Sequence, residues 1–191
     1  MFILSKISDL IQITAQDFEK RTRDALEDNI NAKYANKVIH KIGLGICLYD
    51  LLHSSEGLIG HGTGLVNVKV EFRLVVFRPF KGEIVVGKIS SSSPHGINIR
   101  LDFFDDIFVP PHLLFKGSRF DHTEQVWVWD NEGELFYFDK TETVRFRVES
   151  EEFHDQSPIG PSQADAVSER ISPYRIEASM SQGGLGPILW W

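Results

Sequence analysis

The sequence predicts an α+β unit over residues 1–80, followed by an all-β unit over residues 81–191. Three observations predict it. In Leu65–Phe77 the residues Val66, Val68, Val70, Phe72, Leu74 and Val76 alternate with Asn67, Lys69, Glu71 and Arg73. That is the period of one long strand with a buried and a wet face. Between Thr14 and Lys33, Phe18, Thr22, Ala25, Leu26 and Ile30 recur at helical spacing. From Gly82 onward, short apolar runs are separated by Gly, Ser, Asp and Pro, which reads as β-rich throughout.

The elements follow in chain order. Residues 2–13 alternate loosely and read as a first strand. Thr14 caps the helix, with Asp17 three residues on as its partner. Glu19, Lys20, Arg23, Glu27 and Asp28 give the helix a solvated side. Val38–Ile42 and Ile46–Leu52 are strand-like, interrupted by Gly43 and Gly45. After the loop Ser54–Gly57, the stretch Gly60-His61-Gly62-Thr63-Gly64 forms a Gly-rich turn into the long strand. It lacks the Lys-Ser/Thr of a phosphate loop, and a strand follows it rather than a helix, so it is not read as one. Pro79 cannot donate to a ladder and marks the boundary.

In the second half, Ile84, Val85, Val86 and Ile89 fill a strand, Ser90–Pro94 turns, and Gly96 restarts the chain as Ile97–Leu101. Asp105-Asp106 turn again, Ile107–Val109 extend, and Pro110-Pro111 stops the ladder. Glu124–Trp129 and Glu134–Phe138, joined through Asp130–Gly133, read as an inserted hairpin with Trp127 and Trp129 on one face. Thr143–Val148 is the fourth strand of this unit, with Arg145 and Arg147 on its wet face, and Tyr174–Met180 is the fifth. Between them, residues 151–172 are rich in Asp, Ser, Pro, Gln and Gly and read as a disordered loop. Trp190-Trp191 end the chain. Two exposed indoles are a liability, which makes this pair a candidate partner interface.

Composition narrows the function. Apolar residues make up 42% and charged residues 25%, which can fill a core in each unit without resembling a disordered or membrane chain. No window approaches the ~18 apolar residues of a membrane span. The start, Met1-Phe2-Ile3-Leu4, has no basic region before it and no small-residue cleavage site after it, so no signal peptide is expected. Cys47 is the only cysteine; an internal disulfide and a Cys-based zinc site are excluded, and its apolar neighbours make it read as a small buried hydrophobe. Net charge is −7, unevenly spread: residues 1–80 hold ten Lys/Arg against nine Asp/Glu, which leaves ten against eighteen in residues 81–191. An acidic second half is a poor nonspecific binder of nucleic acid.

No constellation of nucleophile, base and orienting group is visible, so no catalytic residues and no cofactor are expected. The seven histidines include no pair at zinc-helix spacing, so no metal site is expected. Asp102, Asp105 and Asp106 could hold Mg²⁺ in a nuclease, but they read as a solvated turn, with Phe103-Phe104 packed into the end of the unit.

The pattern G-x-I-x-x-G-x-I over residues 82–89, then a turn and G-x-x-x-x-L over 96–101, resembles an S1 domain, a variant of the five-stranded OB barrel. A-N-K-V at 35–38, G-L-G-I-C-L-Y-D at 43–50, V-K-V-E-F-R at 68–73 and V-F-R-P-F-K-G-E-I at 76–84 stand in that order along the chain. With these, the chain resembles the stalk-subunit family of multisubunit RNA polymerases, which has archaeal and eukaryotic members. F-F-D-D-I at 103–107, Q-V-W-V-W at 125–129, V-R-F-R-V at 144–148 and the terminal G-L-G-x-x-x-W-W make it most similar to the RNA polymerase III member.

The resemblance implies an RNP-like α+β tip domain that docks on the polymerase core, and an OB-fold, S1-like barrel with an inserted hairpin. It also implies a nuclear, non-catalytic subunit. Its partners would be a smaller stalk subunit, the polymerase core, transcription initiation factors and, weakly, nascent single-stranded RNA. The expected RNA-contacting residues are Lys88, His95, Asn98, Arg100, Arg145 and Arg147. His95 and Asn98 stand where S1 domains place aromatics, so the contact is expected to be directed at the backbone. With the tip docking on the core, Gly60–Gly64 is expected to be the docking loop, and His61 in it stands where the family tends to have an Asp. The alternative reading is a free-standing S1-type RNA-binding protein of RNA processing or translation.

Overall fold

The computed structural model describes residues 1–154 and 172–191. The chain falls into two compact units, Met1–Arg78 and Pro79–Trp191.

The first unit is organised by its last strand. In chain order it contains β1 (Phe2–Ile13), α1 (Thr22–Tyr34), β2 (Val38–Ile39), β3 (Gly43–Ser54), β4 (Leu58–Ile59) and β5 (Val66–Phe77). The sheet order is β1-β5-β3-β2, with β4 also on β5. β5 pairs with β1 without interruption, from Phe2 opposite Phe77 to Ile13 opposite Val66. The alternation in its sequence sends Val68, Val70, Phe72, Leu74 and Val76 to one face, where all are buried against Ala25, Leu26 and Ile30 of α1. The other face keeps Lys69, Glu71 and Arg73, and two of these are paired: Glu71 with Lys6, Arg73 with Asp50.

α1 is shorter than its sequence spacing suggests. A 3-10 turn occupies Ala15–Asp17, and the helix starts only at Thr22 because Arg21 is extended. The Asp17 carboxylate holds the break, accepting from the Thr14 hydroxyl and the Asn29 amide and pairing with Lys20. Phe18 and Thr22 therefore lie exposed instead of on the buried stripe. At the other end, Tyr34 donates its hydroxyl to Asp9 at 2.5 Å. Burial and that neighbouring carboxylate push the phenol up to about 12. β3 is bulged at three places along β5, and the bulges turn Cys47 out to solvent, contrary to the buried position its apolar neighbours suggest.

The second unit is a small closed barrel with an appended sheet. Its strands are β6 (Ile84–Ser93), β7 (Gly96–Arg100), β8 (Ile107–Val109), β9 (Ser118–Asp121), β10 (Val126–Asn131), β11 (Glu134–Phe138), β12 (Thr143–Phe153), β13 (Tyr174–Ser179) and β14 (Gly186–Pro187). β13-β8-β7-β6-β12 are successive neighbours, and β12 also pairs with β13, which closes five strands into an OB-type barrel. β8 and β13 pair in parallel, Ile107 opposite Ile176. Val85, Ile89, Ile97, Ile99, Ile107, Val109, Val144, Phe146, Val148 and Ile176 fill the interior.

Three boundaries move. The serines expected to turn belong to β6, which runs past a bulge at Ile89/Ser91 and pairs Ser91, Ser92 and Ser93 with Asn98, Ile97 and Gly96. Serines can sit in a ladder when their hydroxyls bond across it; Ser90 Oγ donates to the Asn98 carbonyl. The inserted hairpin is a three-stranded sheet, β11-β10-β9, because Ser118–Asp121 adds to it. β12 continues through Phe153, so Glu151–Phe153 leave the expected 151–172 loop, and residues 155–171 lie outside the described residues.

Gly96 sits at φ +147°, and a Cβ there would lie 2.3 Å from the Val109 carbonyl oxygen and 2.7 Å from the Phe108 ring. Gly96→Ala is expected to destabilise the chain by about 2–4 kcal/mol. Chemical denaturation should show the drop; a variant within ~0.5 kcal/mol of wild type would contradict this reading of the β6–β7 turn.

Candidate interaction surfaces

The Gly-rich turn is the tip of the β4–β5 hairpin. Leu58 pairs with Asn67 and Ile59 with Val66. Gly60 N–H donates to the Leu65 carbonyl at 2.8 Å, and the Thr63 hydroxyl donates to the Gly60 carbonyl. Gly62 and Gly64 adopt φ of +74° and +65°, conformations that favour glycine. Sequence reasoning misses what flanks this turn: Leu58 and Ile59 are 73% and 76% exposed. Both faces of a two-residue strand are apolar there, a break in alternation that is visible in the sequence. A cavity of about 260 Å³ opens at the hairpin's base, with Ile13, Ala25 and Val68 as its apolar wall and Asp17, Phe18 and Ser55 beside them.

The barrel brings five of the six expected RNA-contacting residues to one outer wall. Lys88 on β6 faces Arg100 on β7. On the other side of β6, Arg145 and Arg147 of β12 stand opposite Val86 and Ile84. Asn98 shares this strand face, but its amide donates to Ser91 Oγ at 3.0 Å. His95 lies in the β6–β7 turn, away from these positions. Arg147 is already engaged, by Glu149 and by Gln182 Oε1 at 2.8 Å. Among the described residues, Lys88, Arg100 and Arg145 have no ion pair. Ile84 and Val86, read from the sequence only as filling this strand, are 61% and 50% exposed. The strand's alternation puts Val85, Gly87 and Ile89 inside instead.

The terminal tryptophans separate. Trp190 enters an aromatic cluster, with ring centroids 4.7 Å from Phe138, 5.3 Å from Phe136, 5.7 Å from Trp129 and 6.1 Å from Phe115. Trp127 and Trp129 share the inner face of the appended sheet, and Trp127 Nε1 donates to the Ser93 carbonyl at 2.9 Å. β14 pairs with β12 just before Trp190. The last residues thus fasten the appended sheet to the barrel. Trp191 donates its indole N–H to the Leu185 carbonyl yet stays 58% exposed, next to exposed Leu189.

The aspartate loop is divided in role. Phe104 is buried against Tyr174, whereas Phe103 is 41% exposed. Asp106 accepts from Ser172 Oγ at 2.7 Å. Among the described residues, no group of three or more His, Cys, Asp or Glu is placed to hold a metal ion.

Two family models match the chain. Residues 83–191 match "RNA polymerase III subunit Rpc25", and residues 8–64 match the SHS2 domain found in the N terminus of Rpb7p and Rpc25p. Among curated proteins, DNA-directed RNA polymerase III subunit rpc8 of Schizosaccharomyces pombe is 47% identical over 202 residues, covering 100% of both chains. Subunit RPC8 of Bos taurus is 43% identical, covering 100% of this chain and 98% of its own. RPC8 of Saccharomyces cerevisiae is 39% identical, covering 100% of both.

Trp190→Ala is expected to cost about 2–4 kcal/mol of stability, since a large aromatic leaves a cluster it partly fills. Trp191→Ala should change stability by less than ~0.5 kcal/mol. Denaturant unfolding followed by tryptophan fluorescence compares them; equal effects would contradict the fastening role.

Proposed function

Because the chain belongs to the RNA polymerase III subunit Rpc25 family, we propose that it is a non-catalytic stalk subunit that joins a smaller subunit and docks on the polymerase core in the nucleus. The observation that carries this reading is the full-length match: relatives named as RNA polymerase III subunits cover both units end to end. The first unit supplies the docking element. Its β4–β5 hairpin exposes Leu58 and Ile59 beside a turn closed by hydrogen bonds of Gly60 and Thr63, in which Gly62 and Gly64 take left-handed conformations. An exposed apolar tip suits insertion between larger chains, because burying it there removes apolar surface from water. The barrel unit presents its surface to initiation factors, and Trp191 with Leu189 gives it a second apolar contact point.

The test is affinity purification of the tagged chain from nuclear extract. The expected result is recovery of the large polymerase III subunits together with one small subunit. Recovery of the chain alone, or with RNA alone, would contradict the proposal and favour a free-standing RNA-binding protein. Leu58→Ser with Ile59→Ser should lower recovery of the core by about tenfold or more, since burying each such side chain contributes about 1.5–3 kcal/mol. The small subunit should still be recovered with that variant. Undiminished recovery of the core would remove the hairpin from the docking role.

A further inference from the structure

The outer wall of β6 and β12 has a composition that the barrel around it does not. Residues 81–191 carry ten Lys/Arg against eighteen Asp/Glu, yet Lys88, Arg100, Arg145 and Arg147 converge on one set of neighbouring strand positions. Beside these cations stand Ile84, opposite Arg147, and Val86, opposite Arg145, both at least half exposed. Directly opposite positions on antiparallel strands stand about 4.5–5.5 Å apart, so each aliphatic side chain is within reach of an arginine. Ile84 and Val86 are two residues apart on one strand, which spaces them by roughly 6.5–7 Å along it.

We propose that this wall is a docking site for a protein segment that carries apolar side chains flanked by carboxylates. Two features choose protein over single-stranded RNA. Binders of single strands stack bases on aromatic rings; the wall positions on β6, β7 and β12 hold Ile84, Val86, Lys88, Asn98, Arg100, Thr143, Arg145 and Arg147, none aromatic, and the ring beside them, Phe108 of β8 opposite Asn98, is covered by the Arg175 guanidinium at 4.3 Å. Phosphate contact alone would use the cations and leave the two aliphatic residues wet. The second feature is range. A long polyanion meets the net negative charge of the whole barrel unit. A segment with two or three carboxylates feels chiefly the charges within a Debye length of ~8 Å, and here Glu149 takes up Arg147 while Lys88, Arg100 and Arg145 stay without an ion pair among the described residues. The apolar pair supplies affinity, while Lys88, Arg100 and Arg145 supply register and discrimination against basic segments.

This inference takes from the stalk reading only the assembly in which it is tested. Val86 is replaced by p-benzoylphenylalanine in the tagged full-length chain, and recovery with the polymerase core is scored before irradiation. A chain found outside the polymerase defeats the stalk reading; the crosslink is then read in whichever complex holds the chain. The expected result is a protein adduct mapped to a segment with at least two Asp or Glu flanking an apolar residue. Its yield should fall about tenfold when Lys88→Glu and Arg145→Glu are added, because both replace an attraction by a repulsion. Both substituted side chains lie outside the barrel core, and an unchanged thermal midpoint confirms that the variant is folded. An adduct to RNA alone, no adduct, or a protein adduct indifferent to charge reversal would overturn the proposal.

Discussion

The pairing of β5 along its whole length with β1 is the interaction on which the first unit rests. Twelve consecutive residues of each strand face one another without a bulge. A slip by one residue would send Val68, Val70, Phe72, Leu74 and Val76 to the solvent face and Lys69, Glu71 and Arg73 beneath α1. The register is therefore held by burial on one side and by the Lys6–Glu71 and Arg73–Asp50 pairs on the other. Surface pairs of this kind contribute little each, so the apolar face decides. With the sheet fixed, β4 and its glycine turn are held at a defined place on β5. The barrel unit obeys a comparable constraint. The parallel β8–β13 pairing closes it, and closure leaves no free edge among the five strands that build it.

Much of this is legible because period and punctuation are local. The alternation of β5, the glycine pattern of β6 and β7 and the two tryptophans on one face of β10 all follow from strand geometry. The family is legible because motifs from residue 35 to the terminus occur in a fixed order. What the residues alone do not show needs knowledge of neighbours. Phe18 fits the helical stripe of α1, but an extended Arg21 and the Asp17 carboxylate end that stripe before it. Cys47 sits in an apolar run, yet bulges in β3 reverse its side. The serines of β6 look like a turn until Gly96, Ile97 and Asn98 are seen opposite them. β9 is a short run ending in Asp121, recognisable as a strand only when β10 lies beside it.

The candidate surfaces are legible in outline. Glycines mark the Gly60–Gly64 turn, whereas its exposed apolar flank, Leu58-Ile59, escapes notice because it does not alternate. The cationic residues of the barrel wall can be picked out one by one. Their convergence depends on the register of three strands, and Arg147 is neutralised by Glu149, a partner two residues along. Ile84 and Val86 cannot be told from core in the sequence because an apolar strand does not announce which of its faces is inward. Trp190 and Trp191 look like a pair, but they do different work: one fastens the appended sheet, the other remains at the surface.

Taken together, these features describe a protein that acts by contact. Each unit uses its interior for cohesion and leaves specific apolar or cationic positions outside, and the function follows from what those positions touch. The most direct measurement is transcription by polymerase III stripped of this chain, compared on a promoter template and on a template with a single-stranded tail that bypasses promoter opening. The account requires tail-initiated elongation to keep its rate, promoter-dependent synthesis to fall, and the purified chain with its small partner to restore it. A proportional loss of elongation on the tailed template would contradict it, because the chain would then contribute to the chemistry itself.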